Sequence, residues 1–251
     1  MGSRTGRSDG PRLDPGADVP APAAGSALRP EAPIPETFEF IACLELREFV
    51  GTRAEDERQL VDLIEQAPLD SIYYHTHAFF LRHKFLAGIY PNDFATWVAV
   101  HLRDQALGER LAMVDPAEFD TLEHLRDELV AVIDDHLRQL GAVPRLVTGE
   151  PFDFIRSRTV EVPTGIEVRT LGEFRQALLD VDSSAIYFHV VQARARLGRA
   201  NDFAAWLGRR LGLTQLAQRV RALHPYGGSL ERTRARLLQL CDEALSESGS
   251  R

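Results

Sequence analysis

Cysteine, basic charge and long apolar runs are all scarce in this sequence of 251 residues. Its two cysteines, Cys43 and Cys241, form no C-x-x-C pair and lie among apolar residues, which predicts buried free thiols in a reducing compartment. No apolar stretch reaches the ~18 residues that a membrane helix needs, which argues against a membrane protein. The N-terminus has arginines but no signal-peptide-like apolar stretch, so we expect a cytoplasmic location.

The charge of the chain is acidic and unevenly distributed. It has 29 Lys+Arg against 37 Asp+Glu, a net charge of −8, which argues against general nucleic-acid binding and against docking on anionic membranes. Residues 36–148 carry 10 Lys+Arg and 21 Asp+Glu, a net of −11, whereas residues 149–251 carry 15 and 12, a net of +3. Opposite signs favour packing of the two parts on each other or on a second chain.

The first 35 residues differ in composition from the rest. They hold seven of the 14 prolines and five of the 18 glycines, and few large apolar residues. Such a segment cannot bury enough apolar surface to offset the entropy of ordering, so residues 1–35 are predicted to be a disordered tail.

From residue 36 onward the sequence repeats itself. Residues 38–41 match residues 152–155, and residues 72–75 match residues 186–189, both at an offset of 114. Residues 92–97 then match residues 201–206 at an offset of 109. Several motifs in the same order indicate an internal duplication. We expect a first repeat at 36–148 and a second at 149–246, packed together as one globular unit.

Each repeat has the pattern of one extended segment followed by about four helices. Apolar residues alternate with polar ones from Phe38 onward, which is the period of a strand. Gly51 and Gly165 then predict breaks in the chain. The fold class is therefore α+β and mainly α: two pseudo-symmetric units, with the Phe-x-Phe segments pairing as a short antiparallel β ribbon that the helices cover.

Several polar residues stand where helices are expected to begin. Thr52-x-x-Glu55 and Thr170-x-x-Glu173 have the spacing of capping boxes. The other predicted N-caps are paired between the repeats: Asp70 and Ser184, Asn92 or Asp93 and Asn201 or Asp202, Thr121 and Ser229.

The most distinctive motif is I-Y-[YF]-H, at residues 72–75 and 186–189. On one continuous helix, a single face would hold Ile72, His75, Phe79, His83 and Leu86. In a functional interpretation, His75 lies in a cleft as an acid, base or ligand, beside Tyr73. In a structural interpretation it is buried and hydrogen-bonds the terminus of the neighbouring helix. The structural interpretation is favoured because the motif occurs in both repeats.

The candidate binding residues are all in the first repeat. His75 and His77 point about 200° apart on a helix and cannot chelate one ion together, so neither a metal nor a cofactor is predicted. Trp97 fits a core position or, if its face is exposed, an aromatic cage. The candidate set is Tyr73, His75, His77, Asn92, Asp93 and Trp97.

Three motifs carry a resemblance to a known family. They are Ser71-Ile72-Tyr73-Tyr74-His75-Thr76-His77 with the following Phe80-Leu81-Arg82-His83, then the stretch from Asn92 to Val98, then the stretch from Leu107 to Ala112. Over most of residues 36–245 the chain resembles a family of bacterial proteins known only as a domain of unknown function. The resemblance implies one evolved unit and brings no activity, cofactor or catalytic residue.

Two hypotheses for the function follow. The first is a cytoplasmic protein-interaction or regulatory module, with a protein partner or a second copy of the chain. It is based on the repeated apolar architecture, the charge asymmetry and the lack of a recognisable catalytic motif. The second is a small-molecule-binding protein or enzyme with a site around His75. The sequence leaves open whether the chain is an enzyme.

Overall fold

The structure, a computed structural model, describes residues 36–83, 90–140, 147–194 and 201–249. The predicted tail, residues 1–35, and Leu86 lie outside these ranges. Within them the protein is mainly helical, with one two-stranded antiparallel sheet, as predicted. None of the helices in these ranges is long and apolar enough to cross a membrane.

The sheet is a ribbon of two 17-residue strands, β1 (Phe38–Ala54) and β2 (Phe152–Val168). Near the middle of the ribbon Glu45 pairs with Thr159. At one end Phe38 pairs with Val168. At the other end Ala54 lies opposite Phe152. The predicted ribbon is confirmed, although the two Phe-x-Phe segments lie at opposite ends of it and do not pair with each other.

The two glycines predicted to break the chain lie inside the strands. The pairing register shifts between Phe49 and Arg53 of β1, and Gly51 in this stretch has φ +91°. It shifts again between Glu39 and Ile41, opposite the stretch of β2 that holds Gly165, whose φ is +72°. Glycine adopts positive φ without steric cost, so each strand forms a bulge here and then continues. The prediction of a break was wrong because a bulge absorbs the local distortion.

Helices follow each strand in a similar order. After β1 come α1 (Glu57–Gln66), α2 (Leu69–His75), α3 (Phe79–Arg82), α4 (Asp93–Val100), α5 (Gln105–Ala112), a 3₁₀ turn (Pro116–Glu118) and α6 (Leu122–Leu140). After β2 come α7 (Leu171–Asp180), α8 (Ser183–Ile186), a π-helical segment (Tyr187–Gln192), α9 (Asp202–Arg209), α10 (Thr214–Arg221) and α11 (Leu230–Gly249). This order agrees with the predicted duplication, which stays a prediction.

The phenylalanines at the start of each strand pack in the helical core of the other half. Phe38 and Phe40, at the start of β1, pack among the helices that follow β2. Phe152 and Phe154, at the start of β2, pack among the helices that follow β1. Burying each phenylalanine contributes about 1.5–3 kcal/mol, so each half is stabilised by side chains of the other.

The helix that carries the histidine motif is broken in the first half. We expected one helix to continue through residues 72–86, but α2 ends at His75, and α3 begins only at Phe79. Ala78 N–H reaches back five residues to the carbonyl of Tyr73, and the Thr76 hydroxyl donates to the carbonyl of Ile72 at 2.6 Å. In the second half the equivalent stretch stays helical by widening into the π-helical segment.

Some of the predicted caps are confirmed and others are displaced. Thr170 and Glu173 form the predicted capping box. Thr52 lies inside β1, because the strand continues through its bulge, and Asp56 caps α1 instead. Pro68 and Asp182 stand at the N-cap positions where Asp70 and Ser184 were predicted. The remaining predicted N-caps accept the expected backbone N–H groups: Asn92, Asn201, Thr121 and Ser229.

Two pairs of helices pack at small residues. A Cβ atom on Gly108 of α5 would lie 2.7 Å from the Cβ of Ala99 on α4. In the second half the glycine is on the other helix, since a Cβ on Gly208 of α9 would lie 3.0 Å from the Cβ of Ala217 on α10. A Cβ on Gly108 would therefore force a shift of the neighbouring helix, whereas a Cβ on Gly208 would make a tight contact.

Candidate functional site

His75 is buried, and both of its ring nitrogens are bonded within the protein. It ends α2 with 3% exposure. Nδ1 lies 2.9 Å from Oδ2 of Asp93, and Nε2 accepts the backbone N–H of Ile155 in β2 at 3.1 Å. Because Nε2 accepts, the ring proton is on Nδ1 and is donated to the carboxylate. The imidazole therefore joins a helix of the first half to the strand of the second half.

His189 makes the reciprocal contacts. Its Nδ1 lies 2.8 Å from Oδ2 of Asp202, and its Nε2 accepts the backbone N–H of Ile41 in β1 at 2.9 Å. Each strand thus presents one outward-facing amide to a histidine of the other half. An edge amide in an apolar core is costly unless it is bonded, and each histidine satisfies one.

The asparagine–aspartate pairs position these histidines. Asn92 caps α4 by accepting the N–H of Ala95 at 2.8 Å, and its amide donates to the carbonyl of Leu111 at 3.0 Å. Asn201 repeats both contacts, with Ala204 and Val220. Each asparagine fixes the first turn of its helix and hence the aspartate that follows. These contacts account for the place of Asn92 and Asp93 in the fold, and a binding role for them stays a prediction.

The first half adds a polar network that sequence reasoning missed. Arg82 bonds the carboxylate of Asp93 and donates to the carbonyl of Tyr74 at 2.9 Å. Its guanidinium carbon lies 3.9 Å above the centre of the Tyr74 ring. Glu45, whose side chain is 5% exposed, lies 3.8 Å from Arg82, and its Oε1 atom has no hydrogen-bond partner. Arg82 follows the histidine motif closely, but nothing in the sequence connects it to Glu45.

The environment of His75 disfavours its charged form. Burial lowers the pKa of His75, and the hydrogen bond and negative charge of Asp93 oppose that shift only in part. A second proton would go to Nε2 and displace the N–H of Ile155. His75 is therefore neutral and bonds both Asp93, at the start of α4, and the N–H of Ile155 in β2. The functional interpretation of the motif stays a prediction.

Tyrosines of the two halves meet beside this site. The hydroxyls of Tyr73 and Tyr187 lie 2.6 Å apart. His77 stacks on Tyr73 with 5.0 Å between ring centres and meets the edge of Tyr226 at 5.5 Å. Burial lowers the pKa of His77 to about 4 and raises the pKa values of Tyr187 and Tyr226. The cluster is an uncharged seam between the halves.

Trp97 is also a core residue. It is 5% exposed, packs edge-on against Phe152 and donates its indole N–H to the carbonyl of Glu150 at 2.8 Å. An aromatic cage needs an exposed ring face, which Trp97 does not offer.

A surface groove lies away from the predicted site residues. A groove of about 300 Å³ lies between the end of α5, the 3₁₀ turn and α6, lined by none of the predicted site residues. Within the described ranges, no group of three or more His, Cys, Asp or Glu residues is arranged to hold a metal ion.

Comparisons with known proteins agree with the fold. The model of a family of unknown function, DUF5752, matches residues 35–242. The structure of OrfY from Thermoproteus tenax is similar, with 30% sequence identity and a TM-score of 0.68. The alignment covers 84% of this chain and 96% of OrfY. No curated protein matches the chain.

Proposed function

The chain belongs to the DUF5752 family of unknown function, and we propose that it acts as a cytoplasmic protein-interaction module. The proposed contact surface is the outer face of the ribbon, and the proposed occupant is a second copy of the chain. Cys43 and Cys241 are buried and not joined in a disulfide, which supports a reducing compartment. The repeats at 36–148 and 149–246 are proposed to act as one unit, because each core contains strands of both.

The observation that carries the proposal is the exposure of large apolar side chains on this face. Alternation along the strands puts Cys43 and Ser157 on the inner face, where both are buried. The outer face holds Leu44 and Leu46, 62% and 61% exposed, with Val160 directly opposite Leu44 and 42% exposed. A contiguous apolar patch on a strand pair is typical of an interaction surface.

We favour a second copy of the chain as the occupant of this face, because the charged residues beside the apolar patch carry both signs. Arg158 lies directly opposite Leu46, and the next pair, Glu48 and Arg156, borders the patch at one end with 2.7 Å between the two side chains. A twofold axis along the ribbon would place β1 of one copy over β2 of the other. Leu44 would then face Val160, Leu46 would face the aliphatic stem of Arg158, and Glu48 would face Arg156 of the second copy. A twofold interface requires such self-complementarity.

The size of the patch predicts weak association. Seven residues on each strand span roughly 23 Å at ~3.3 Å per residue, over two strands ~4.8 Å apart. The resulting area of a few hundred Å² is well below the ~800 Å² per partner of a stable complex. We expect a dimer that forms at high protein concentration and dissociates on dilution.

Sedimentation equilibrium of the full chain, from about 10 μM to 1 mM, tests the proposal. The wild type should show a concentration-dependent monomer–dimer equilibrium, which Leu44→Ser/Leu46→Ser weakens by at least about tenfold. Leu179→Ser/Leu245→Ser is the matched control, since both leucines are exposed, at 46% and 37%, on α7 and α11. A wild type that stays monomeric, or equal weakening in both variants, would overturn the proposal.

The alternative, a small-molecule site around His75, stays a prediction. The observation in its favour is the buried Oε1 atom of Glu45, which a hydroxyl or amine of a ligand could satisfy. Binding of a polar fragment that requires Glu45 and is lost in Glu45→Gln, with unchanged unfolding, would support it. The absence of any such fragment in a calorimetric screen would count against it.

A further inference from the structure

We propose that the groove between α5, the 3₁₀ turn and α6 binds a basic amphipathic segment of a partner protein. The segment would place one apolar side chain in the groove, with arginine or lysine side chains on either side of it. This site is separate from the outer face of the ribbon and does not depend on self-association.

The floor of the groove is apolar. Val114, Phe119 and Val132 line it, and Met113 stands at its edge with 83% of its surface exposed. A methionine side chain is flexible and polarisable, and exposed methionines suit surfaces that adapt to an inserted apolar side chain. The volume of about 300 Å³ is at the lower limit of ligand pockets, which fits a single anchoring side chain.

The rim of the groove is acidic. Asp115, Glu118 and Glu128 line it together with Arg110. Two of these groups already have partners, because Arg110 lies 2.6 Å from Asp135, and Asp115 lies 2.7 Å from His224. Glu118 and Glu128 are exposed and form no ion pair within the described ranges. Two free carboxylates beside an apolar cavity favour a cationic partner.

The surroundings strengthen this preference. The groove belongs to the part of the chain that carries a net charge of −11, from 10 Lys+Arg and 21 Asp+Glu at residues 36–148. Such a field speeds the encounter with basic segments and repels acidic ones. An amphipathic helix that lays its apolar face into a groove is a common form of peptide recognition.

The methionine content of the chain provides a direct measurement. The sequence has two methionines, Met1 and Met113, so a protein labelled with ¹³C at the methionine methyl groups gives at most two methyl signals. Met113→Leu assigns the signal of Met113. The probe is a synthetic helical peptide of leucine, alanine and arginine, compared with the same peptide carrying glutamate in place of arginine.

The basic peptide should shift the Met113 signal in the full chain at low salt, and the acidic peptide should not. Glu118→Gln/Glu128→Gln should weaken binding about three- to tenfold and reduce its salt dependence. Asp62→Asn/Glu65→Gln, which removes the same charge from exposed positions on α1, should leave binding unchanged.

Three results would overturn the proposal. The first is a Met113 signal that the basic peptide leaves in place, and the second is an equal response to both peptides. The third is equal weakening by the groove variant and the α1 control, which would show a diffuse charge effect without a site. The dimerisation test with Leu44→Ser/Leu46→Ser does not affect these three results, so the two proposals can fail separately.

Discussion

The hydroxyl of Tyr73 lies 2.6 Å from the hydroxyl of Tyr187. The two tyrosines are separated by 114 residues, the offset at which residues 38–41 and 72–75 recur, so equivalent side chains of the predicted repeats bond each other. Glu45 and Thr159 have the same separation and are paired in the ribbon. An axis that relates the halves would pass through both contacts.

Removing both hydroxyls together should cost less than the sum of the costs of removing each one alone. Tyr73→Phe leaves the buried hydroxyl of Tyr187 without its partner, and we expect a loss of about 1–2 kcal/mol in the free energy of unfolding. Tyr187→Phe should have a similar effect. The double variant should lose less than the sum, as measured by urea unfolding in a double-mutant cycle. Simple additivity would show that the hydroxyls contribute independently.

The two core histidines should be needed for folding to a similar degree. His75→Ala removes a bond to Asp93, leaves the N–H of Ile155 unsatisfied and opens a cavity, which should cost about 2–4 kcal/mol. His189→Ala, which affects Ile41 in the same way, should cost a similar amount. His124→Ala, at an exposed position on α6, is the control. If His75→Ala folds with unchanged stability, its role is functional and the structural interpretation fails.

Stability should fall as the pH drops below about 6.5. Burial lowers the pKa values of His75 and, to about 4, of His77, so the unfolded chain binds protons that the folded chain does not. The contribution of His77 is fully present above pH ~6.5 and is lost between ~6.5 and about 4. Urea unfolding at several pH values should show this decline, with a shallower slope in His77→Phe. An identical slope in that variant would contradict the assignment to His77.

The glycine lies on α5 in the first half and on α9 in the second, so a second substitution should restore the stability that Gly108→Ala loses. Gly108→Ala brings a Cβ to 2.7 Å from that of Ala99 and should cost about 1–3 kcal/mol through overpacking. Adding Ala99→Gly reproduces the arrangement of Gly208 and Ala217, and most of the lost stability should return. Thermal unfolding of the two single variants and the double variant measures this. A double variant less stable than Gly108→Ala alone would show that the backbone cannot accept the exchange.

Alternation and turn residues were enough to predict the ribbon and most helices, because these depend on neighbouring residues. The break after His75 was not predictable, since it depends on Thr76 bonding back to Ile72 within a packed core. Among the candidate residues, Asp93 bonds His75 and His77 stacks on Tyr73, whereas a binding role for them stays a prediction. The sequence could not show that Nε2 of His75 is occupied by Ile155, 80 residues away.

The reciprocal placement of the phenylalanine pairs constrains how the molecule comes apart. To open either core, the chain must also withdraw two aromatic rings from the opposite one. Melting should therefore occur in a single step, and a fragment carrying only one half would lack part of its own interior. A protein of one repeat alone would therefore fold only as a dimer in which each molecule inserts its strand into the core of the other.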